Sequence, residues 1–406
     1  MALLLRFAVH NNGDLLVSQS LRIDWSASDH PLSVRDIFIL DDNWDRYQLR
    51  HRDTIREVEV IEVEKMLSCR QRGCFMWWCP NCGEHHLQRL GCNSRLCSRC
   101  GKRYADRWSA ELAGKMFDVP HRHIVMTIAS ELCCLIRSDR SLMKVLMDSC
   151  IQALSDTFSY FLRRDVIAGA IVVLHPFGRD LGFRPHLHVL ATEGGFDKRN
   201  GNQFVHKWFI PFGALRKTWQ YQVLTRFKSA LPKTPAYAAL ISRLFTEHRE
   251  GFYVHAPKEG RIESKRKVAR YVGRYVRHPA IANSRISGYE GGAVAFWFED
   301  NEAVRHDRVM AADEFIAAVV QHVPERQFKM IRHYGAYNRR TKRQYGRAAS
   351  EHGSIGQAVL ADFVRRKWCF TCPRCGLPME LVMYYKQGPP EEPKFGSRIT
   401  DWLCLA

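Results

Sequence analysis

Apolar residues run unbroken from Ala168 to Leu174 and end at His175, and a second run, Pro185 to Leu190, is interrupted only by His186 and His188. Short apolar runs bounded by turn residues read as buried strands, and Gly178, Asp180 and Gly182 mark the loop between these two. An antiparallel hairpin centred near Asp180 and Leu181 sets His175 opposite His186 and Val173 opposite His188. Side chains alternate along a strand, so His186 and His188 share one face while Leu187 and Val189 pack on the other.

The same reading extends along the chain. Residues 1–66 suggest a short strand followed by helix, with Val58, Ile61 and Val63 among charges; this is a docking segment without chemistry of its own. Residues 119–128 read as a strand entering a new domain, and 141–162 as a helix in which Leu142, Val145, Leu146 and Cys150 recur at helical intervals. Over 264–278, Val268, Tyr271, Val272, Tyr275 and Val276 repeat as one helix stripe, so the two tyrosines lie one turn apart on one face, a pattern that equally fits a helix burying two aromatics in a core. Lys265, Arg266, Lys267, Arg270, Arg274 and Arg277 fill the remainder, and Pro279 closes the helix. Val294 to Glu299 is expected to be the edge strand of the same sheet as the histidines, with a helix near 311–320 after it. Strands and helices mixed in this order predict an α+β fold.

Charge changes the picture. Lys and Arg number 61 against 42 Asp and Glu, a formal net charge of +19, which favours a polyanionic partner, nucleic acid first. The excess concentrates in a few stretches. An insert over residues 196–262 carries Trp208, Arg216, Lys217, Trp219, Tyr221, Arg226 and Lys228, which suit a groove that stacks bases or, equally, a local core. Arg332, Arg339 and Arg340 are interleaved with Tyr334 and Tyr337, a second candidate DNA contact or a solvated basic loop. The apolar start, Ala2 to Leu5, is too short for a signal peptide, and no stretch nears the ~20 apolar residues of a membrane span. The expectation is a cytoplasmic protein acting at the nucleoid.

Fourteen cysteines, many in Cys-x-x-Cys spacing, indicate metal rather than disulfides in a reducing compartment. Cys79-Pro80-Asn81-Cys82 and Cys97-Ser98-Arg99-Cys100 are expected to close one tetrahedral zinc site. Cys69, Cys74 and Cys92, with His85 and His86, are candidates for a second ion. Cys372 and Cys375, preceded by Cys369, form half a knuckle whose remaining ligand is unassigned, with Cys404 a distant candidate. His175, His186 and His188 could converge on a further ion, although any one of them alone reads as a structural histidine.

Pro185-His186-Leu187-His188 resembles the His-hydrophobic-His (HUH) motif of endonucleases that cut single-stranded DNA with a tyrosine. The order of a cysteine ribbon, Val119-Pro120-His121-Arg122, Leu174 to Arg179, the histidine strand, Tyr271-x-x-x-Tyr275 and Ile331-Arg332-x-Tyr334-Gly335-x-Tyr337 resembles the rolling-circle, two-tyrosine transposases of bacterial insertion sequences, related to Helitrons. The resemblance implies a ferredoxin-like antiparallel nuclease sheet with flanking helices and an N-terminal zinc ribbon. On this basis the expected division is a docking segment (1–67), a zinc-binding domain (68–118), an HUH domain (119–300, with the helical insert 196–262) and a basic C-terminal region with a knuckle (301–406).

The implied activity is nicking and rejoining of single-stranded DNA at element ends, with Tyr271 or Tyr275 as nucleophile and Arg270, Arg274 and Arg277 on the backbone. A phenol of pKa near ~10 attacks an anionic phosphodiester poorly, so a divalent ion, Mg²⁺ or Mn²⁺, held by His186, His188 and His175 is needed. No nucleotide cofactor is expected, since no Gly-x-x-x-x-Gly-Lys-Ser/Thr loop is present. By resemblance the partners are hairpin-bearing single-stranded ends and a short target sequence. The rival readings are a plasmid replication initiator or relaxase of the same chemistry, and a non-catalytic zinc-dependent DNA-binding regulator.

Overall fold

The computed structural model describes residues 32–199, 203–206, 211–256, 272–273, 279–300, 302–350 and 370–387, without the side chains of Arg70, 347–350 and 386–387. Tyr271, Tyr275, Arg270, Arg274, Arg277, Trp208, Cys369 and Cys404 lie outside the described residues.

In chain order the helices are α1 (Val34–Ile39), α2 (Asn43–His51), α3 (Glu57–Leu67), α4 (Ser98–Ala113), α5 (Ser130–Ser138), α6 (Leu142–Leu162), α7 (Phe212–Ala230), α8 (Pro235–Glu247), α9 (Ala312–Val320) and α10 (Lys342–Ser350). The strands are β1 (Arg72–Trp78), β2 (His85–Arg89), β3 (His121–Met126), β4 (Val166–Ile167), β5 (Gly169–Phe177), β6 (Phe183–Thr192), β7 (Gly194–Asp197), β8 (Phe204–His206), β9 (Val254–His255), β10 (Ile286–Glu290), β11 (Ala293–Glu299), β12 (Arg305–Ala311), β13 (Ile331–Gly335), β14 (Phe370–Thr371) and β15 (Pro378–Gln387). This is the α+β class expected, and no described helix is long and apolar enough to cross a membrane.

A five-stranded antiparallel sheet in the order β13-β5-β6-β3-β9 carries the histidines. Because β5 and β6 are buried on both faces, the sheet has two cores. Ala170, Val172, Leu174, Leu187 and Val189 pack with α6 and α7 on one side; Ile171, Val173 and Leu190 pack with Leu112, Phe117, Val272 and Tyr337 on the other. The helix expected over 141–162 is α6, and it covers the first face as its apolar stripe requires.

The β5–β6 turn is tied by Gly178 N–H to the Gly182 carbonyl, with Leu181 at φ 66°. Leu181 is buried in a separate core formed by α1 to α3, α9 and the sheet β10-β11-β12, so this second module grips the hairpin tip.

Three expectations about placement are corrected. Val294 to Glu299 is β11, the centre of the sheet β10-β11-β12 and not the edge of the histidine sheet; Val294 and Phe296 satisfy their alternation against Phe315 and its neighbours instead. The edge next to β5 is β13, from the stretch expected to be a separate C-terminal region. Trp219, offered as a groove aromatic, is fully buried and donates its indole N–H to the Thr127 carbonyl at 2.7 Å, which makes it a core residue of α7.

Candidate functional site: an imidazole cluster on a zinc-braced sheet

The β5–β6 register pairs His175 with His186 and Val173 with His188, as the hairpin pattern predicts. Three ring nitrogens converge: His186 Nε2 lies 3.2 Å from His175 Nδ1 and 3.2 Å from His188 Nε2. Two nitrogens bound to one ion at about 2.1 Å, at angles between square and tetrahedral, are separated by roughly 3.0–3.4 Å, so the spacing suits a shared cation.

The far side of each β6 ring is also engaged. His186 Nδ1 is 2.8 Å from the Arg184 carbonyl, which requires a proton on Nδ1 and leaves Nε2 as a lone pair. His188 Nδ1 is 3.0 Å from His123 Nε2, from β3. Burial pushes the pKa of His186 and His188 below the ordinary imidazole value, and at His188 the surrounding imidazoles add to it. Burial, helped by His255, lowers His123 to about 4. These shifts favour the neutral ring, the state that His186 and His188 need as metal ligands. His123 is the residue that sequence reasoning missed; the strand 119–128 was legible, but a single histidine in it carries no spacing signal.

Val272 and Gly273, the described residues between Tyr271 and Tyr275, are helical. Val272 is fully buried with Ile171, Val173 and Leu190, on the face that bears His175, His186 and His188. Gly273 abuts α4: a β-carbon there would overlap Ser109 Oγ and lie 3.4 Å from the Ala105 carbonyl.

The eight ligand cysteines form two four-thiol clusters, and here the expected grouping is corrected. Cys97 and Cys100 meet Cys69 and Cys92, while Cys79 and Cys82 meet Cys372 and Cys375. The reason is the β1–β2 hairpin. Cys79 and Cys82 occupy its tip, whereas Cys69 and Cys92 flank its base, and seven extended residues span about 23 Å. Pairing of β15 with β1 brings Cys372 and Cys375 to the tip, supplying the missing half of the knuckle. The two turns match: Cys79 N–H bonds the Glu84 carbonyl and Cys372 N–H the Leu377 carbonyl, with Gly83 at φ 70° and Gly376 at φ 74°. The repeated Cys-Pro-x-Cys-Gly pattern was the available signal.

Sulfur separations of 3.5–3.7 Å fit the edge of a tetrahedron of Zn–S bonds, roughly 3.8 Å, and are far from a disulfide. Cys74 is buried and joins neither cluster. His86 stacks on Phe370 with ring centroids 4.5 Å apart.

The basic segment near β13 divides. Arg332 pairs with Val172 in register, so it lies on the sheet face opposite the imidazoles, half-buried over the Phe328 ring. Tyr337 is buried, and its hydroxyl accepts the Phe117 N–H at 2.9 Å; it is structural rather than a DNA contact. Arg339 and Arg340 are exposed.

Comparison with known proteins gives these sites a context. Residues 169–344 match a family described as "Putative transposase", and residues 39–128 match one described as "Transposase zinc-binding domain". The chain is 29% identical over 345 residues to the "Transposase for insertion sequence element IS801" of Pseudomonas savastanoi pv. phaseolicola, covering 80% of this chain and 81% of that protein. It is 26% identical over 302 residues to "Putative transposase y4qJ" of Sinorhizobium fredii (strain NBRC 101917 / NGR234), covering 70% and 74%. Among solved structures, the origin-recognition/nickase domain of non-structural protein 1 from the emerging human bocavirus aligns with 14% identity over 48% of this chain and 72% of that one, at a TM-score of 0.22, too low to support an argument. The first segment holds β5, β6, β9 and β13 with His175, His186 and His188, and the second holds Cys69 to Cys100, α4 and β3 with His123. A zinc-binding segment followed by a transposase segment makes this chain similar to zinc-bearing transposases of insertion sequences, proteins that act on DNA.

Proposed function

We propose that this chain is a transposase that nicks and rejoins single-stranded DNA at the ends of a mobile element through a 5′-phosphotyrosine, in a rolling-circle-like route. The observation that carries the reading is the placement of Val272. Val272, next to Tyr271 and three residues before Tyr275 in sequence, packs on the same sheet face as His175, His186 and His188. That shared face supports the reading because a nucleophile has to reach the phosphate held beside the three converging imidazole nitrogens.

His175 Nδ1, His186 Nε2 and His188 Nε2 would hold the divalent ion, which when bound supplies charge for the scissile phosphate. Three neutral imidazoles leave the ion its full charge and room for phosphate oxygens, which suits Mg²⁺ or Mn²⁺. The chain does the rest. The phenolic oxygen of Tyr271 or Tyr275 forms a bond to phosphorus as the bond to the 3′ oxygen breaks. The phenol gives up its proton and the departing oxygen gains one, leaving a 3′-hydroxyl and a phosphotyrosine. Rejoining reverses these steps on a second end, so the ester itself conserves the bond energy. Arg270, Arg274 and Arg277 would neutralise backbone phosphates beside that bond. Hairpin-bearing ends and a short target sequence are the proposed substrates. The two cysteine clusters are structural zinc sites that brace α4 and the β1–β2 hairpin.

The test is direct. Labelled single-stranded ends are incubated with protein and Mn²⁺ and resolved on a denaturing gel. A covalent adduct is expected, and replacing both tyrosines, Tyr271→Phe with Tyr275→Phe, abolishes it. An adduct that survives the double replacement refutes the assignment.

A further inference from the structure

The imidazole cluster continues across the sheet to an exposed ring. Val125 pairs with His188 on one side and with His255 on the other, so His188 and His255 lie in one cross-strand row on one face. β9 and β6 both run antiparallel to β3 and hence in the same direction, so Tyr253, two residues before His255, is level with His186. Two strand spacings separate them, about 10 Å.

Tyr253 is 53% exposed at this sheet edge, and the position is braced. The Arg216 guanidinium from α7 sits 5.0 Å from the ring centroid, against one face. The Tyr253 hydroxyl lies 3.4 Å from His255 Nδ1, and the two rings are within 13° of parallel. Behind them Val254 and Phe252 are buried, and Thr127 N–H bonds the Tyr253 carbonyl at 3.0 Å. Arg216 also donates to the Val254 carbonyl, while its buried Nε has no partner. A held, half-exposed aromatic backed by a cation is a stacking platform of the kind that binds bases without reading them.

We propose that Tyr253, with Arg216 and His255, forms a nucleotide subsite that stacks one base of single-stranded DNA next to the phosphate at the imidazole cluster. The inference rests on the nicking reading for what lies at the cluster. The platform faces the same side as the cluster, so a strand laid across β6, β3 and β9 meets both. A continuous duplex cannot offer an unstacked base there, which makes the platform selective for single strands.

The experiment uses full-length protein with Tyr271→Phe and Tyr275→Phe, without added divalent ion, so binding is read independently of cleavage. Oligonucleotides carry 2-aminopurine at successive positions around the nick. Quenching is expected at one position, and Tyr253→Ala removes it there while weakening single-strand binding roughly fivefold to a hundredfold. Tyr253→Trp retains both, and Tyr160→Ala, the more exposed tyrosine on α6, changes neither. Duplex binding is expected to be indifferent to Tyr253. Unchanged quenching and affinity in Tyr253→Ala overturn the proposal, as does an equal loss on duplex and single strands. Absence of the covalent adduct in the unmodified protein would instead refute nicking and leave this measurement standing.

Discussion

His123 Nε2 lies 3.0 Å from His188 Nδ1, with the two ring planes 11° apart. If His188 presents Nε2 to an ion, its proton resides on Nδ1 and is donated to His123, which fixes both tautomer and ring angle. His123→Ala is therefore expected to weaken Mn²⁺ binding roughly 10- to 100-fold. His123→Gln, which keeps an acceptor, should recover part of it. Bound Mn²⁺ followed by electron paramagnetic resonance checks this apart from activity. An unchanged Mn²⁺ affinity in His123→Ala would show that the contact is packing alone.

Gly273 against Ser109 couples the zinc-binding helix to the tyrosine segment. Adding a methyl forces the segment away from α4, and overpacking of this kind costs about 1–3 kcal/mol. Gly273→Ala should lower the denaturation midpoint and cut adduct yield at least tenfold. Ser109→Gly in the same chain removes the obstructing atoms and should restore much of the yield. Failure of that rescue, with the protein still folded, would mean that the seat does not position the tyrosines.

The cysteine clusters predict zinc stoichiometry. Purified protein should hold two zinc ions per chain, and Cys372→Ser should hold one, because Cys79, Cys82 and Cys375 alone leave the tetrahedron incomplete. Cys74→Ser should retain two. Retention of two ions by Cys372→Ser, measured by atomic absorption, would contradict the cluster that joins β1 to the C-terminal knuckle.

How much of this was legible depends on sequence separation. The β5–β6 hairpin was readable because Gly178, Asp180 and Gly182 fix a local turn, and with it the pairing of His175 and His186. Cysteine grouping was not, because Cys82 and Cys372 are 290 residues apart and no local pattern says that β15 pairs with β1. Nearest spacing therefore favoured joining Cys82 to Cys97, which the hairpin length forbids. β11 was recognisable as a strand but not assignable to a sheet, since alternation records burial without saying against what. Likewise Tyr337 sits among arginines in sequence, and it is its burial against Phe117, with the Phe117 N–H bonded to its hydroxyl, that marks it as core.

Acid stability offers a test of how the second module grips the hairpin. His322, after α9, is buried; its Nε2–H donates to the Leu181 carbonyl at 3.0 Å, and its ring lies nearly parallel to Phe183. Burial pushes its pKa down to about 3, and Arg140 and Arg137 reinforce the shift against the opposing Leu181 hydrogen bond. The unfolded chain titrates near ~6.5, so between these values it binds more protons than the folded one. The contribution of His322 is thus complete above about pH 6.5 and is lost as pH falls, by about 3 kcal/mol at pH 4. Protonation of cysteine ligands also destabilises the protein in acid, but equally in a His322→Gln variant. The variant should therefore lose less stability than the unmodified chain between pH 7 and pH 4, as read from urea midpoints. Parallel pH profiles for the two proteins would show that His322 is not held neutral behind the hairpin tip.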